Sequence, residues 1–288
     1  MDRVTDTRKL TLTATLAAVY VIFRAIPISK LIGISGSITA AGMIAPVLGI
    51  LLEPAYGIVA VFTGTMVASL FPWNPLIFGG LDFVPGALNV TLVSLAVRGR
   101  RVEATIMFLI TIGLFMLNPY TRLFVGSALL SPPIPYLWMH IAALIVLISP
   151  LSKNLIVKLN SSQPRIKMKV VTRSWRDIRS WPSLLLGLLH QNRGIAGAVA
   201  ILAFTGTMIE HLTGGLLFAT VVGKGALKFW PLIFLAYPIE RTVLVVGATL
   251  IGVALLRLLR PTLTESSLEP VKQVGMSPVR SVPAADQR

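Results

Sequence analysis

Apolar stretches recur along this chain from Leu10 to Leu258, and only short polar segments separate them. A bilayer core offers the backbone no hydrogen-bond partner, so a chain that crosses it repeatedly does so as helices. The lengths of the stretches predict an all-α fold, a polytopic helical membrane protein with about eight transmembrane helices, six to eight in range. These helices are predicted near residues 10–29, 38–53, 55–71, 83–97, 103–118, 135–150, 194–213 and 229–258.

Changes in composition divide the chain into four parts. Residues 1–151 are predicted to form the front helices of the membrane bundle, and residues 194–260 a C-terminal hairpin that packs on them. Residues 152–193 are polar and basic, which is typical of a linker on the cytoplasmic face of a membrane. Residues 261–288 are rich in Ser, Pro, Glu and Gln and predict a disordered cytoplasmic tail. Residues 123–130 are apolar but too short to cross, and are predicted to be interfacial or to extend a helix.

Composition and charge support the membrane assignment and add an orientation. Hydrophobic residues make up 55% of 288 and charged residues 13%, with a mean hydropathy of +0.80. Of the 26 basic residues, 20 fall on one side of the alternating threading, which predicts cytoplasmic N- and C-termini in a multi-pass protein of the cell (plasma) membrane. The chain has no cysteine, which excludes disulfides and thiolate metal sites.

Two adjacent charged residues in the last predicted helix are the first candidates for function. Glu240 and Arg241 follow Trp230 by about ten residues, or about 15 Å of helix, which places them near the centre of the bilayer. Charge at that depth is expensive unless it is paired or hydrated, so both side chains need partners. They could contact a substrate, or they could form structural ion pairs that set the register of the helices.

Other polar residues lie at the outer ends of predicted helices or within them. Glu210 and His211 end the seventh predicted helix, where they could bind a cationic ligand or a metal, or could simply lie at the interface. Arg24 is predicted to extend outward to the membrane surface. The full set of predicted substrate-binding residues is Asp82, Asn89, Trp138, His140, Glu210, His211, Glu240 and Arg241. No catalytic residue, metal site or resident cofactor is predicted.

Several segments together resemble a known family. They are the opening Arg8-Lys9-Leu10-Thr11-Leu12-Thr13-Ala14, the Gly- and Pro-rich stretch 42–64, the helix entry Asp82-Phe83-Val84-Pro85-Gly86, the helix end Arg98-Gly99-Arg100-Arg101, and Tyr237-Pro238-Ile239-Glu240-Arg241. In this order and spacing they look like the substrate-binding S component of energy-coupling factor (ECF) type ABC transporters. Members of that family typically have six helices, so the pair at 103–150 and the basic linker look like inserted material.

The resemblance implies a function, partners and a docking face. S components capture vitamins or metal ions from outside and dock on a transmembrane coupling protein (the T component) and two ATPase subunits, which drive import. Ala14 and Ala18 lie one turn apart, a spacing that allows close helix approach and that ordinary packing inside the bundle also explains. By similarity to the family, these two residues would meet the coupling protein. The resemblance therefore predicts a substrate-capture subunit for a vitamin-like solute or metal ion, and no enzyme.

Two other classes of function stay open at this stage. A stand-alone secondary transporter would work without ATPase partners, and a membrane protein of another type is also compatible with the composition. An intramembrane enzyme is the least favoured, because no nucleophile or general base stands out. Gly223-Lys224-Gly225 lacks the hydroxyl residue and the glycine spacing of a phosphate-binding loop, so any ATP hydrolysis would come from a partner.

Overall fold

The computed structural model describes residues 2–161 and 193–265, apart from residues 31, 34, 73, 128 and 129. The described chain is mostly helical, with two short antiparallel hairpins. In chain order the elements are α1 (Asp2–Arg24), β1 (Pro27–Lys30), β2 (Ser37–Thr39), α2 (Ala41–Leu51), α3 (Pro54–Ser69), α4 (Val84–Val97), α5 (Arg101–Leu117), β3 (Phe124–Ser127), β4 (Leu130–Pro135), α6 (Trp138–Ile148), α7 (Pro150–Ser161), α8 (Arg193–Val222) and α9 (Trp230–Glu265). Short 3₁₀ turns at Gly79–Leu81 and Gly223–Lys228 precede α4 and α9.

Helix α8 lies at the centre of the bundle and packs against α4, α9, α6, α7, α2 and α5. The buried apolar side chains form two clusters. The larger one surrounds α8 and includes Leu202, Phe108 and Trp230, whereas the smaller one joins α1, α2 and α3 through residues such as Tyr20 and Ile44. Glycines allow helices to approach closely because they have no side chain; a Cβ at Gly49, for example, would lie 2.7 Å from the Val90 carbonyl oxygen.

Three helices of the described chain are long and apolar enough to cross a membrane, judged by length and composition. They are Gly79–Val97, Arg193–Lys228 and Trp230–Arg257. A fourth is added if Trp138–Ile148 and Pro150–Asn160, which meet at a bend of 59°, count as one span. The length and apolar composition of these helices are those of a membrane protein.

The predicted count of about eight spans, six to eight in range, is therefore supported only in part. Every predicted span overlaps a helix, but several are too short to cross alone. The second and third, Ala41–Leu51 and Pro54–Ser69, are apolar helices of 11 and 16 residues. Pro54 explains the break, since proline cannot donate a backbone hydrogen bond to the preceding turn and so starts a new helix.

The two hairpins depart from the all-α prediction. Helix α1 ends at Arg24 instead of residue 29, and Pro27–Lys30 then pairs with Ser37–Thr39. Between these strands Gly33 has a φ of +90°, a backbone conformation that other residues rarely adopt. Segment 123–130, predicted to be interfacial, contributes to the second hairpin, whose β4 strand is rich in proline and so cannot continue as a helix.

Two parts of the predicted division into domains extend beyond the described residues. Helix α7 occupies the start of the predicted linker, and residues 162–192 of that linker lie outside the description. Helix α9 continues to Glu265, past the predicted start of the tail at 261, and residues 266–288 also lie outside it. The cytoplasmic location of both termini remains a prediction.

An ion pair joins the start of α1 to the start of α3. Lys9 Nζ donates a hydrogen bond of 2.8 Å to Glu53 Oε1, and both side chains are about half exposed. This hydrogen bond lowers the pKa of the Glu53 carboxyl from its ordinary value. The pair is therefore present at neutral pH and is lost on acidification, when the carboxylate becomes protonated.

Arg101, the first residue of α5, stabilises the bend between α6 and α7. Its guanidinium donates to the carbonyl oxygens of Leu147 and Ser149, the latter at 2.9 Å, and to Ser152 Oγ at 2.7 Å. The last carbonyl groups of a helix have no partner within it, and Pro150 has no N–H to offer them. Arg101 thus supplies donors that the broken helix itself lacks.

We expect Arg101→Ala to lower the free energy of unfolding by about 1–3 kcal/mol, because buried carbonyl groups lose charged donors. The neighbouring Arg100→Ala is the matched control. Arg100 contacts Glu103 on the exposed surface, and such pairs contribute about 0–1 kcal/mol. Unfolding in mixed detergent, followed by tryptophan fluorescence, compares the two variants. Equal losses would show that Arg101 does not support the bend.

Candidate functional site

A cavity of about 170 Å³ lies among α1, the β1–β2 hairpin, the segment before α4, α8 and α9. This volume is about ten times what one water molecule needs, so a small solute can fit. Most of the wall is apolar or aromatic, and six charged side chains interrupt it. The charged side chains are Arg24, Lys30, Asp82, Glu210, Glu240 and Arg241.

Glu210 projects from the central helix α8 and is held in place by α4. Asn89 Nδ2 donates a hydrogen bond of 2.5 Å to Glu210 Oε2, and Asn89 is fully buried. The two helices approach closely because Gly206 lies one turn before Glu210. A Cβ at Gly206 would lie against Asn89 Oδ1 and 2.8 Å from Val93 Cγ2. The glycine thus permits the contact that orients the carboxylate.

The two other carboxylates of the cavity are also held by hydrogen-bond donors. Glu240 Oε1 accepts a hydrogen bond of 2.5 Å from Ser29 Oγ, which joins α9 to the β1–β2 hairpin. Asp82 accepts hydrogen bonds of 2.6 Å from the backbone N–H groups of Ile77 and Phe78. Asp82 therefore closes the turn that leads into α4, in addition to lining the cavity.

The cationic side chains of the cavity are less well satisfied. Arg241 is 4% exposed, and its Nη1 reaches the Thr207 carbonyl oxygen at 3.5 Å, the outer limit of a hydrogen bond. The Nε atoms of Arg241 and Arg24 are buried, with no hydrogen-bond partner among the described residues. Within that same part of the chain, no carboxylate oxygen lies within 4.0 Å of Arg24, Lys30 or Arg241.

A pair of histidines forms one wall of the cavity and extends behind it. His211 lines the cavity, and its Nδ1 lies 3.1 Å from Nε2 of the buried His140. One of the two nitrogens must donate and the other accept, so one proton lies in the hydrogen bond between the rings. Tyr136 and Tyr237 pack on the two imidazole rings. Among the described residues no group of three His, Cys, Asp or Glu side chains is arranged to hold a metal ion.

The structure brings together most of the residues predicted to bind substrate. Asp82, Glu210, His211, Glu240 and Arg241 line the cavity. Two more lie directly behind this set, because Asn89 contacts Glu210 and His140 contacts His211.

Trp138 is the exception among the predicted residues. Its side chain is 46% exposed and it does not line the cavity. It begins α6, where its ring faces outward while His140, two residues later, faces inward. Side chains two residues apart on a helix point to nearly opposite faces, so the closeness of Trp138 and His140 in the sequence did not indicate a shared site.

The alternative in which Glu240 and Arg241 form structural ion pairs that set the register of the helices finds no support among the described residues. Each side chain contacts a different element, Ser29 for Glu240 and the Thr207 carbonyl for Arg241, and neither has an oppositely charged side chain within 4.0 Å in that part of the chain. Adjacent helical residues point about 100° apart, which explains why they reach different partners.

Sequence reasoning missed the contribution of α1 and the first hairpin. Arg24, expected at the membrane surface, lines the cavity together with Tyr20. The two residues are four apart on one helix and so share a face, a signal that the sequence did contain. Ser29 and Lys30 reach the site through the β1–β2 hairpin, which no pattern in the sequence predicted.

Ala14 and Ala18, the predicted docking residues, both lie on the exposed side of α1. Leu10 and Ile22, four residues before and after them, are 59% and 62% exposed, so the stripe is apolar along its length. This side faces away from α2 and α3. A partner helix or lipid can therefore reach it without any change in the bundle.

Comparisons with known proteins add no assignment. No protein family, curated protein or solved structure matches this chain. The functional conclusions therefore rest on the residues of the cavity and on their geometry.

Proposed function

We propose that this protein captures a small polar solute in the cavity, as the substrate-binding membrane subunit of an uptake transporter of the energy-coupling factor type. The single observation that carries the proposal is the group of six charged side chains around one cavity of an otherwise apolar bundle. Charged groups are expensive within a membrane protein and are retained where they bind or conduct something. Apolar walls with a few convergent polar groups are typical of small-molecule sites.

The source of energy for uptake would be a partner protein. We propose that a transmembrane coupling protein and two ATPase subunits complete the transporter. The support for a docked partner is the exposed face with Ala14 and Ala18, where a second helix can approach closely. The capture subunit would bind its solute from the outer side and would form no covalent bond with it.

A pair of glycine substitutions tests whether solute binds in the cavity. A Cβ at Gly214 or at Gly113 would meet nothing within 4 Å, but only Gly214 lines the cavity. We expect Gly214→Phe to fill the cavity and Gly113→Phe to leave it open. Mass spectrometry of small molecules extracted from the purified protein should show a solute with wild type and Gly113→Phe and none with Gly214→Phe.

Equal solute retention by both phenylalanine variants would place the binding site elsewhere. Affinity purification in mild detergent from native membranes tests the partners separately. Recovery of a coupling protein with two ATPases supports the proposal. Solute uptake into vesicles that contain this protein alone, without ATP, would instead indicate a stand-alone secondary transporter.

A further inference from the structure

The three carboxylates of the cavity already have hydrogen-bond donors from the protein. Asp82 is held by two backbone N–H groups, Glu210 by Asn89 and Glu240 by Ser29. Each carboxylate of the cavity therefore has at least one hydrogen-bond donor from the fold before any ligand enters.

The basic side of the cavity is not satisfied in this way. Arg241 and Arg24 each have a buried Nε with no partner among the described residues, and the only acceptor for Arg241 in that set is the Thr207 carbonyl at 3.5 Å. A guanidinium carries five N–H donors and no acceptor, and it keeps its charge at all physiological pH values. Arg24 and Arg241 both line the same cavity, together with Glu210.

Buried donors without acceptors indicate what is missing from the cavity. A guanidinium that is 4% exposed, with one distant carbonyl as its acceptor in the described structure, is costly in a bundle of apolar helices unless a ligand supplies further acceptors. Carboxylate and phosphate groups match the planar fork of arginine and accept two parallel hydrogen bonds from it.

The charge balance selects between these two anions. Three basic and three acidic side chains line the cavity, so its formal charge is zero before a ligand enters. A singly charged carboxylate adds one negative charge beside Glu210 and Glu240, whereas a phosphate adds nearly two. The repulsion from the existing carboxylates is smaller for the carboxylate ligand.

We propose that the cavity recognises a small organic carboxylate, whose oxygens accept hydrogen bonds from Arg241 and Arg24. Lys30, at the exposed end of the β1–β2 hairpin, adds positive charge where the ligand enters. The remainder of the ligand packs on the apolar wall, which includes Phe78 and Phe218. This inference rests on the proposal that the cavity binds a solute, and it names the chemical class of that solute.

Four probe molecules test the proposal on the full-length protein in nanodiscs of phosphatidylcholine. Benzoate carries the carboxylate, benzamide is its neutral counterpart, benzylamine is a cation of similar size, and inorganic phosphate is the other oxyanion. Binding is measured by calorimetry and by the shift in thermal unfolding. We expect benzoate to bind about ten-fold or more tightly than the other three, as hydrogen bonds between charged groups predict.

Arginine substitutions connect that preference to the cavity. We expect Arg241→Gln and Arg24→Gln each to weaken benzoate binding by about ten-fold or more. Arg122→Gln, which changes an exposed arginine outside the cavity, is the matched control and should leave the affinity unchanged. Gel filtration and the unfolding temperature of each variant establish that it is folded. Two arginine positions are used so that a folding defect in one does not decide the result.

Several outcomes would overturn the carboxylate proposal. They are no benzoate binding to the wild type, binding of benzamide, benzylamine or phosphate as tight as that of benzoate, and benzoate binding that survives both arginine changes. If benzylamine binds and Glu240→Gln abolishes its binding, the cavity still holds a solute and the proposed function survives. If Gly214→Phe also keeps the co-purifying solute, the proposed function fails as well.

Discussion

Gly206→Ala is expected to lower the free energy of unfolding by about 1–3 kcal/mol, although alanine is the better helix former by about 1 kcal/mol. The added methyl group would lie against Asn89 Oδ1 and 2.8 Å from Val93 Cγ2, at the interface between α4 and α8. Close-packed helices can relieve such overlap only by moving apart. Separation would also remove the hydrogen bond from Asn89 to Glu210 and disturb the cavity.

Gly214→Ala is the matched control for this prediction. It makes the same chemical change two turns further along α8, where a new Cβ meets nothing within 4 Å. We expect it to leave stability unchanged or to raise it slightly, because alanine loses less backbone entropy in a helix. Unfolding in mixed detergent, followed by tryptophan fluorescence, measures both variants. A Gly206→Ala protein as stable as Gly214→Ala would show that α4 and α8 do not pack this closely.

Arg241→Met is expected to have opposite effects on stability and on ligand binding. Without a ligand the guanidinium is buried, with one distant carbonyl as its acceptor in the described structure. A buried charge without a carboxylate partner carries a desolvation penalty of several kcal/mol, on the order of what real proteins show per ion, and an apolar side chain of similar volume does not carry it. We therefore expect Arg241→Met to raise the unfolding temperature of the ligand-free protein and to abolish solute retention.

The control for this second prediction is Arg122→Met, at an exposed position where substitutions change stability by about 0.5 kcal/mol or less. Thermal unfolding of ligand-free samples and mass spectrometry of retained solute measure the two effects separately. If Arg241→Met destabilises the protein and solute retention falls only in proportion, the arginine has a structural role. A protein with full retention would remove Arg241 from the binding site.

The lengths of the apolar runs predicted where the helices lie, but they did not predict which helices can cross the bilayer. Apolar runs predicted helices near all eight positions, because a chain in lipid must satisfy its backbone internally. The run from 38 to 71 was divided correctly at Pro54, yet it yields α2 and α3, which are both short. Which of the short helices cross the bilayer depends on their tilt and on the neighbours that cover their ends. Those properties are not local to any segment.

The two hairpins were not predicted from the sequence, for a different reason. Residues 27–39 include proline, glycine and β-branched residues, which favour strands and turns. The predicted helices 10–29 and 38–53, however, included both ends of this segment. A hairpin forms by pairing β1 with β2, so the residues of either strand alone do not predict it. Lys30 lines the cavity and Ser29 contacts Glu240 through this hairpin, so the missed strands also meant missed site residues.

The sequence alone predicted a helical membrane protein and picked out Asp82, Glu210, His211, Glu240 and Arg241, because polar and charged side chains among apolar stretches are conspicuous and costly. The packing of α1, α8 and α9 around one cavity was needed to add Arg24 and to leave out Trp138. It also showed that Glu240 and Arg241 do not pair with each other. The free-energy cost of a charged side chain in lipid depends on that residue alone. Its contacts depend on how helices that are far apart in the chain pack together.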